Sequence, residues 1–149
     1  GRDLTIMFEP GKYLVSESGF LFVRTNVIKQ TTATVFAGVD SGQNHLIRPM
    51  FYDAYHHIVN LSNPQGTPRI YTVVGYICET DTFALDRKLN EIREGDVLAI
   101  LNAGAYGYTM SNNYNSRLRP AEVLIDGGMT KLIRRRETLG DILQTTPVE

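Results

Sequence analysis

Apolar and polar positions alternate in short runs along most of this chain, a two-residue period that predicts strands rather than long helices. Residues 4–8 are apolar and read as a short buried strand, stopped at Glu9-Pro10-Gly11, where proline and glycine impose a turn. Residues 13–19 fit one or two helical turns. Residues 20–29 are apolar and β-branched enough for a strand, and 31–39, with Thr and Val in near alternation, predict another. Around Pro49 the pattern loosens, so residues 42–54 read as irregular with space for a single helical turn. Residues 55–61 alternate again, and 63–68, with two prolines and a glycine, form the clearest loop.

Residues 70–77 make an apolar, β-branched strand. A polar stretch of mixed charge follows at 86–94, and a further apolar strand at 97–101. Residues 102–108 are rich in Gly, Ala and Tyr, and 111–119 are polar and loop-like. Residues 123–126 and 131–135 flank Gly127-Gly128 as the arms of a hairpin, and 138–143 predict a closing helix with Thr138 as its N-cap. Many short strands separated by turn signals predict a mainly β fold, a sandwich or small barrel. The first twenty or so residues fit that pattern poorly.

Composition narrows the function classes. With 15 basic and 16 acidic residues the chain carries a net charge of −1, which gives no electrostatic footprint for nucleic acid or an anionic membrane. A single cysteine rules out an internal disulfide and a multi-cysteine zinc site, and suits a reducing, cytoplasmic compartment. His45, His56, His57 and Cys78 together suggest zinc, but neighbouring histidines on a strand point to opposite faces, so no metal site is expected.

The candidate chemistry lies in four places. The strand at 70–77 ends at Cys78 with Glu79 beside it, two proton-moving groups at the mouth of a rigid element; read alone, the stretch also fits a small buried thiol beside a solvated loop. Glu9-Pro10-Gly11-Lys12 offers turn amides and a cation to a phosphate, or an ordinary turn. Arg48 sits among apolar residues next to Pro49, where a guanidinium is costly to bury unless it meets an anion. Tyr52, four residues on, shares its face if the segment is helical, while the alternative is an Arg48–Asp53 pair that only stiffens the loop. Tyr106 stands between Gly104 and Gly107, where bare backbone lets a flat ligand approach or simply makes a bend at a barrel corner.

In this order, these segments resemble the C-terminal part of the diaminopimelate decarboxylases, pyridoxal-phosphate enzymes of the alanine-racemase-like fold group. The matching stretches are Phe8-Glu9-Pro10-Gly11, residues 46–57 ending Asp53-Ala54-Tyr55-His56-His57, Cys78-Glu79, residues 102–107, the run Ser-Asn-Asn-Tyr-Asn-Ser-Arg-Leu-Arg-Pro-Ala-Glu at 111–122, and residues 134–138. The resemblance implies a C-terminal β-domain at 31–149, with residues 1–30 as the last strand, turn and helix of an otherwise missing (β/α)8 barrel. An abrupt start at Gly1-Arg2-Asp3 agrees with a piece of a longer protein. None of Lys12, Lys29, Lys88 or Lys131 matches the family's cofactor-binding lysine, so the chain alone is expected to be inactive.

By the same resemblance Glu9 pairs with the cofactor's pyridine nitrogen, and Gly11 and Lys12 face its phosphate. Arg48 and Tyr52 bind the substrate's far carboxylate and Glu79 its far ammonium. Tyr106 touches cofactor and substrate, and Cys78 returns a proton to the α-carbon. The family forms homodimers in which the Cys78-Glu79 loop enters the partner's site. Two departures stand out: Lys12 replaces the family arginine, and Asp81 follows Cys78-Glu79-Thr80 one place early. An arginine aimed at the far end of the substrate favours meso-diaminopimelate, giving lysine and carbon dioxide, over carboxynorspermidine or ornithine. A non-catalytic barrel that binds oligonucleotides is the rival from another class, and neutral charge weighs against it.

Overall fold

The computed structural model describes residues 1–147. Its centre is a six-stranded sheet built from β1 (Leu21–Gln30), β2 (Val35–Val39), β3 (Ile58–Asn60), β4 (Pro68–Val74), β5 (Thr82–Asn90) and β6 (Val97–Ile100). The strand order is β3-β6-β1-β2-β4-β5, with every pairing antiparallel except β2 with β4. The sheet curls until its two edges nearly meet. Side chains stitch that seam: Arg87 Nη1 on β5 donates to His56 O at 3.0 Å, and Asn60 Nδ2 on β3 donates to Glu91 O at 2.8 Å. Curling lets one sheet enclose its own core, so the alternating pattern resolves as a nearly closed barrel and not as a two-sheet sandwich.

Val23, Ala37, Val39, Ile58, Val73, Leu98 and Ile100 fill the interior from alternate strand positions. Tyr71 is buried among them, and its hydroxyl is satisfied by the backbone N–H of Ile92 at 3.0 Å. A separate hairpin, β7 (Glu122–Asp126) with β8 (Met129–Arg134), turns at Gly127-Gly128, both at positive φ as such a turn requires. Two short helical turns, α1 (Gly11–Val15) and α2 (Arg48–Tyr52), lie before β1 and before β3, and the closing helix α3 (Leu139–Leu143) starts in a capping box between Thr138 and Asp141.

Two expectations need correction, and one stretch left without an element gains one. Residues 4–8 form no strand: they pair with nothing and are exposed, since a strand needs a ladder partner and none of the described residues offers one. The strand expected from residue 31 begins only at Val35, because the Thr31 hydroxyl accepts from the N–H groups of Ala33 and Thr34 and closes a turn first. The polar stretch at 86–94 is largely the second half of β5. Its charges lie on the solvated face while Leu89 points inward, and Asp86, at φ 43°, kinks the strand.

Candidate active site

The loop leaving β2 holds the site together. Ser41 O accepts from Tyr76 N (3.1 Å), and Asn44 O accepts from Asn112 N (2.9 Å). The His45 ring lies 2.9 Å from Leu118 O through Nε2 and 2.9 Å from the Ser41 hydroxyl through Nδ1. A carbonyl only accepts, so Nε2 carries the proton and Nδ1 accepts. Burial pushes this imidazole's pKa down, against the bond to Leu118, so it stays neutral. One short loop therefore fixes two others, residues 75–81 and 111–119, relative to each other.

Within the first, Asp81 is the fastening. It is 4% exposed, and its carboxylate accepts from Gln43 N at 2.6 Å and from Ile77 N at 2.7 Å. Burial raises its pKa and the two amides pull it partly back. A Cβ at Gly75 would stand 2.2 Å from this carboxylate and one at Gly42 2.7 Å, so both glycines make room for it. The aspartate that stood one place early is thus the anchor of the loop. It leaves Cys78 and Glu79 exposed at the tip. There the Tyr114 hydroxyl donates to Glu79 Oε1 at 2.6 Å, and Asn115 Nδ2 lies 4.0 Å from Cys78 Sγ. The bond from Tyr114 is the main cause holding the Glu79 carboxyl below its ordinary pKa.

The second group surrounds Arg48, the first residue of the helical turn α2 (Arg48–Tyr52). Its guanidinium carbon lies 5.6 Å from the Tyr52 ring centroid and 5.5 Å from that of Tyr106. Arg48 Nε is shielded and has no hydrogen-bond partner among the described residues. The Arg48–Asp53 ion pair does not form: Asp53 takes a left-handed conformation and its N–H bonds back to Arg48 O. Neighbouring His56 donates from Nδ1 to Leu101 O at 2.8 Å. Burial lowers its pKa, and the charges of Arg48 and Lys12 lower it further. Glu9, Gly11 and Lys12 are exposed, neither charged side chain is in an ion pair among the described residues, and open space surrounds Gly11.

Gly104 and Gly107 do not leave room for a ligand. A Cβ at Gly104 would meet Val15 O at 2.0 Å, and one at Gly107 would meet Ala103 O at 2.3 Å. The chain's own backbone fills both places: residues 15–19 dock against Gly104, through Gly104 N to Ser16 O (3.0 Å) and Ala103 N to Gly19 O (2.8 Å), and the Ala103 carbonyl closes over Gly107. What the bend does achieve is to hold Tyr106 at φ 58°, half-exposed and against Arg48.

The chain thus groups its site residues in two sets. Arg48, Tyr52 and Tyr106 meet on one side of α2. Beside them Ile47, Met50 and Phe51 share an open cleft of about 480 Å³ with Glu79 and Tyr114, and the Phe51 ring meets that of Tyr52 edge-on at 4.7 Å. Asp81, Tyr114, Asn115 and the His45 linkage escaped sequence reasoning about individual roles. The crowding of asparagine around Tyr114 was the available signal, since Asn tolerates the left-handed backbone that Asn115 adopts at φ 55°.

Comparison with known proteins places this geometry. The family described as "Pyridoxal-dependent decarboxylase, C-terminal sheet domain" matches residues 12–104. Diaminopimelate decarboxylase of Methanothermobacter thermautotrophicus is 51% identical over 146 residues, covering 97% of this chain and 34% of the relative. That of Pseudomonas aeruginosa is 48% identical over 143 residues, covering 95% and 34%. The crystal structure of diaminopimelate decarboxylase from M. jannaschii in complex with L-lysine superposes with a TM-score of 0.87 at 40% identity, covering 93% of this chain and 32% of that one. The chain spans about a third of the length of the curated relatives it matches. It belongs to the pyridoxal-dependent decarboxylases, as their C-terminal sheet domain.

Proposed function

We propose that this chain is the substrate-reading part of a decarboxylase that converts meso-2,6-diaminopimelate to L-lysine and carbon dioxide. The observation that carries the reading is Arg48. Its guanidinium is clasped by two tyrosines, its Nε is left without a partner, and no carboxylate of the described residues pairs with it. Such a cation is preorganised for an anion that arrives with the ligand. Relatives named diaminopimelate decarboxylase at about half identity support the same substrate.

In this reading Arg48 and Tyr52 grip the carboxylate at the far end of the substrate. Glu79, held ionised by Tyr114, takes the far ammonium. Cys78 Sγ delivers a proton to the α-carbon after carbon dioxide leaves and recovers it from solvent, for which its exposure suits it. The donor set around residues 9–12 and 106 fits pyridoxal phosphate: Glu9 offers a free carboxylate to a protonated ring nitrogen, Gly11 and Lys12 an open turn with a cation for phosphate, and Tyr106 a half-exposed ring and hydroxyl. Bound there, the cofactor supplies the electron sink that the decarboxylation needs.

The exposed tip that carries Cys78 and Glu79, separate from the Arg48, Tyr52 and Tyr106 cluster, supports a homodimer in which Cys78 and Glu79 serve the partner's Arg48 and Tyr106. Residues 1–30 would then lead from a preceding barrel domain, which carries the cofactor-binding lysine, into the β-domain. The test is a substrate comparison on the full-length enzyme. Diaminopimelate should exceed ornithine and carboxynorspermidine by at least about a hundredfold in kcat/KM, as expected where a built charge goes unanswered in the wrong substrate. Comparable turnover of ornithine would overturn the reading.

A further inference from the structure

We infer that Tyr114 is a positioning residue for Glu79, aiming its carboxylate at the substrate's far ammonium from a loop that contributes no other group to that contact. This rests on the proposed role of Glu79. Four observations carry it. The Tyr114 hydroxyl donates to Glu79 Oε1 at 2.6 Å, a short, charge-assisted bond between side chains 35 positions apart. Both partners record it: the bond is the largest cause lowering the carboxyl pKa of Glu79 and the largest raising that of the Tyr114 phenol.

The backbone beneath Tyr114 is built to hold it. Tyr114 N donates to Asn112 Oδ1 at 2.9 Å, and Asn112 N is fixed to Asn44 O at 2.9 Å. The next two residues, Asn115 and Ser116, both stand in the left-handed region at φ 55° and 56°, a strained pair kept where the surroundings impose it. Finally, Glu79 is exposed, and among the described residues its carboxylate hydrogen-bonds no side chain besides Tyr114 except adjacent Cys78. Without Tyr114 nothing selects one rotamer of a flexible carboxylate at the open cleft.

The same phenol thus does two things for the ammonium contact. It occupies Oε1, so Oε2 is the oxygen left to face a ligand or the Cys78 thiol, which lies 3.4 Å from it. It also lowers the pH at which the carboxylate loses its charge.

The test is Tyr114→Phe in the full-length enzyme, alone and combined with Glu79→Gln, with thermal melting as a check on folding. Loss of one hydrogen bond to a charged group should raise KM for diaminopimelate by about tenfold with kcat changed less than about twofold. The acidic limb of the kcat/KM profile should move to higher pH, a shift that a merely structural residue does not produce. In the Glu79→Gln background the Tyr114→Phe change should add nothing. Normal KM and an unmoved acidic limb in Tyr114→Phe, with Glu79→Gln still impaired, would overturn the inference and leave the proposed function standing. Normal kinetics in Glu79→Gln would overturn the role of Glu79 and the inference with it. Should Tyr114→Phe melt early, Tyr114→His, which keeps a ring and a donor, must restore the wild-type limb; failure to do so counts against the inference.

Discussion

Replacing Arg48 by leucine in the full-length enzyme isolates the proposed contact with the far carboxylate. Leucine fits the first position of α2, where no side-chain cap is lost. The fold gives up two cation–π contacts, worth about 0.5–1 kcal/mol each at partly exposed rings, so a small drop in melting temperature is the expected structural cost. The functional cost is larger. Truncating one partner of a desolvated, hydrogen-bonded charge pair costs about 2–5 kcal/mol. Here Tyr52 and Tyr106 remain 55% and 44% exposed, which lets solvent near the guanidinium and places the loss at the lower end. About 2–3 kcal/mol is a fall of roughly 30- to 150-fold in kcat/KM. The assay is release of carbon dioxide from meso-diaminopimelate, with Arg48→Lys expected in between because it keeps the charge and loses the planar fork. A leucine variant within about threefold of wild type would show that Arg48 only braces the two tyrosines, and the assignment of substrate would fail with it.

Two further predictions concern the scaffold. Asp81→Ala strands two backbone donors, one of them in the buried turn at Ile77, and should destabilise the chain by about 2–4 kcal/mol in a denaturant titration; a loss under about 1 kcal/mol would mean the loop does not depend on it. Glu137 accepts from Arg119 N and Nη1 and from Asn113 Nδ2, and although burial raises its pKa these bonds outweigh that and leave it below the ordinary 4.5. A depressed carboxyl stabilises fully above its unfolded value and loses that contribution as pH falls through the folded one. The stability gap between wild type and Glu137→Gln should therefore be constant from about pH 6 to 7 and shrink below about pH 4.5; a gap that widens in acid would reverse the sign of the shift.

Strand-forming segments were legible because one face of each meets a single core, which writes period two into residues 21–30 and 97–100. Residues 82–90 were not, since their polar outer face outweighs two or three inward positions, and the kink at Asp86 breaks the alternation. Of the site, the arginine beside Pro49 and the Cys78-Glu79 pair could be read locally. Cross-chain fastenings could not. That Asp81 reaches the amide of Gln43, or Tyr114 the carboxylate of Glu79, depends on how far the sheet curls, and no local pattern encodes that. The glycines at 104 and 107 left a ligand approach and a plain bend both open, and the structure shows the bend: a residue without Cβ signals close approach but not of what.

The most direct test of the whole account is complementation between two inactive full-length subunits. One carries Cys78→Ala, and the other lacks the cofactor-binding lysine of the preceding domain. Each is expected to be inactive alone. If Cys78 and Glu79 serve the partner's Arg48 and Tyr106, a mixed dimer holds one complete site, and co-expression should restore up to about half the wild-type activity per mixed dimer, one of its two sites. Mixed dimers that form, verified by differential tags, yet recover no activity would contradict the account and return Cys78 to the Arg48 of its own chain.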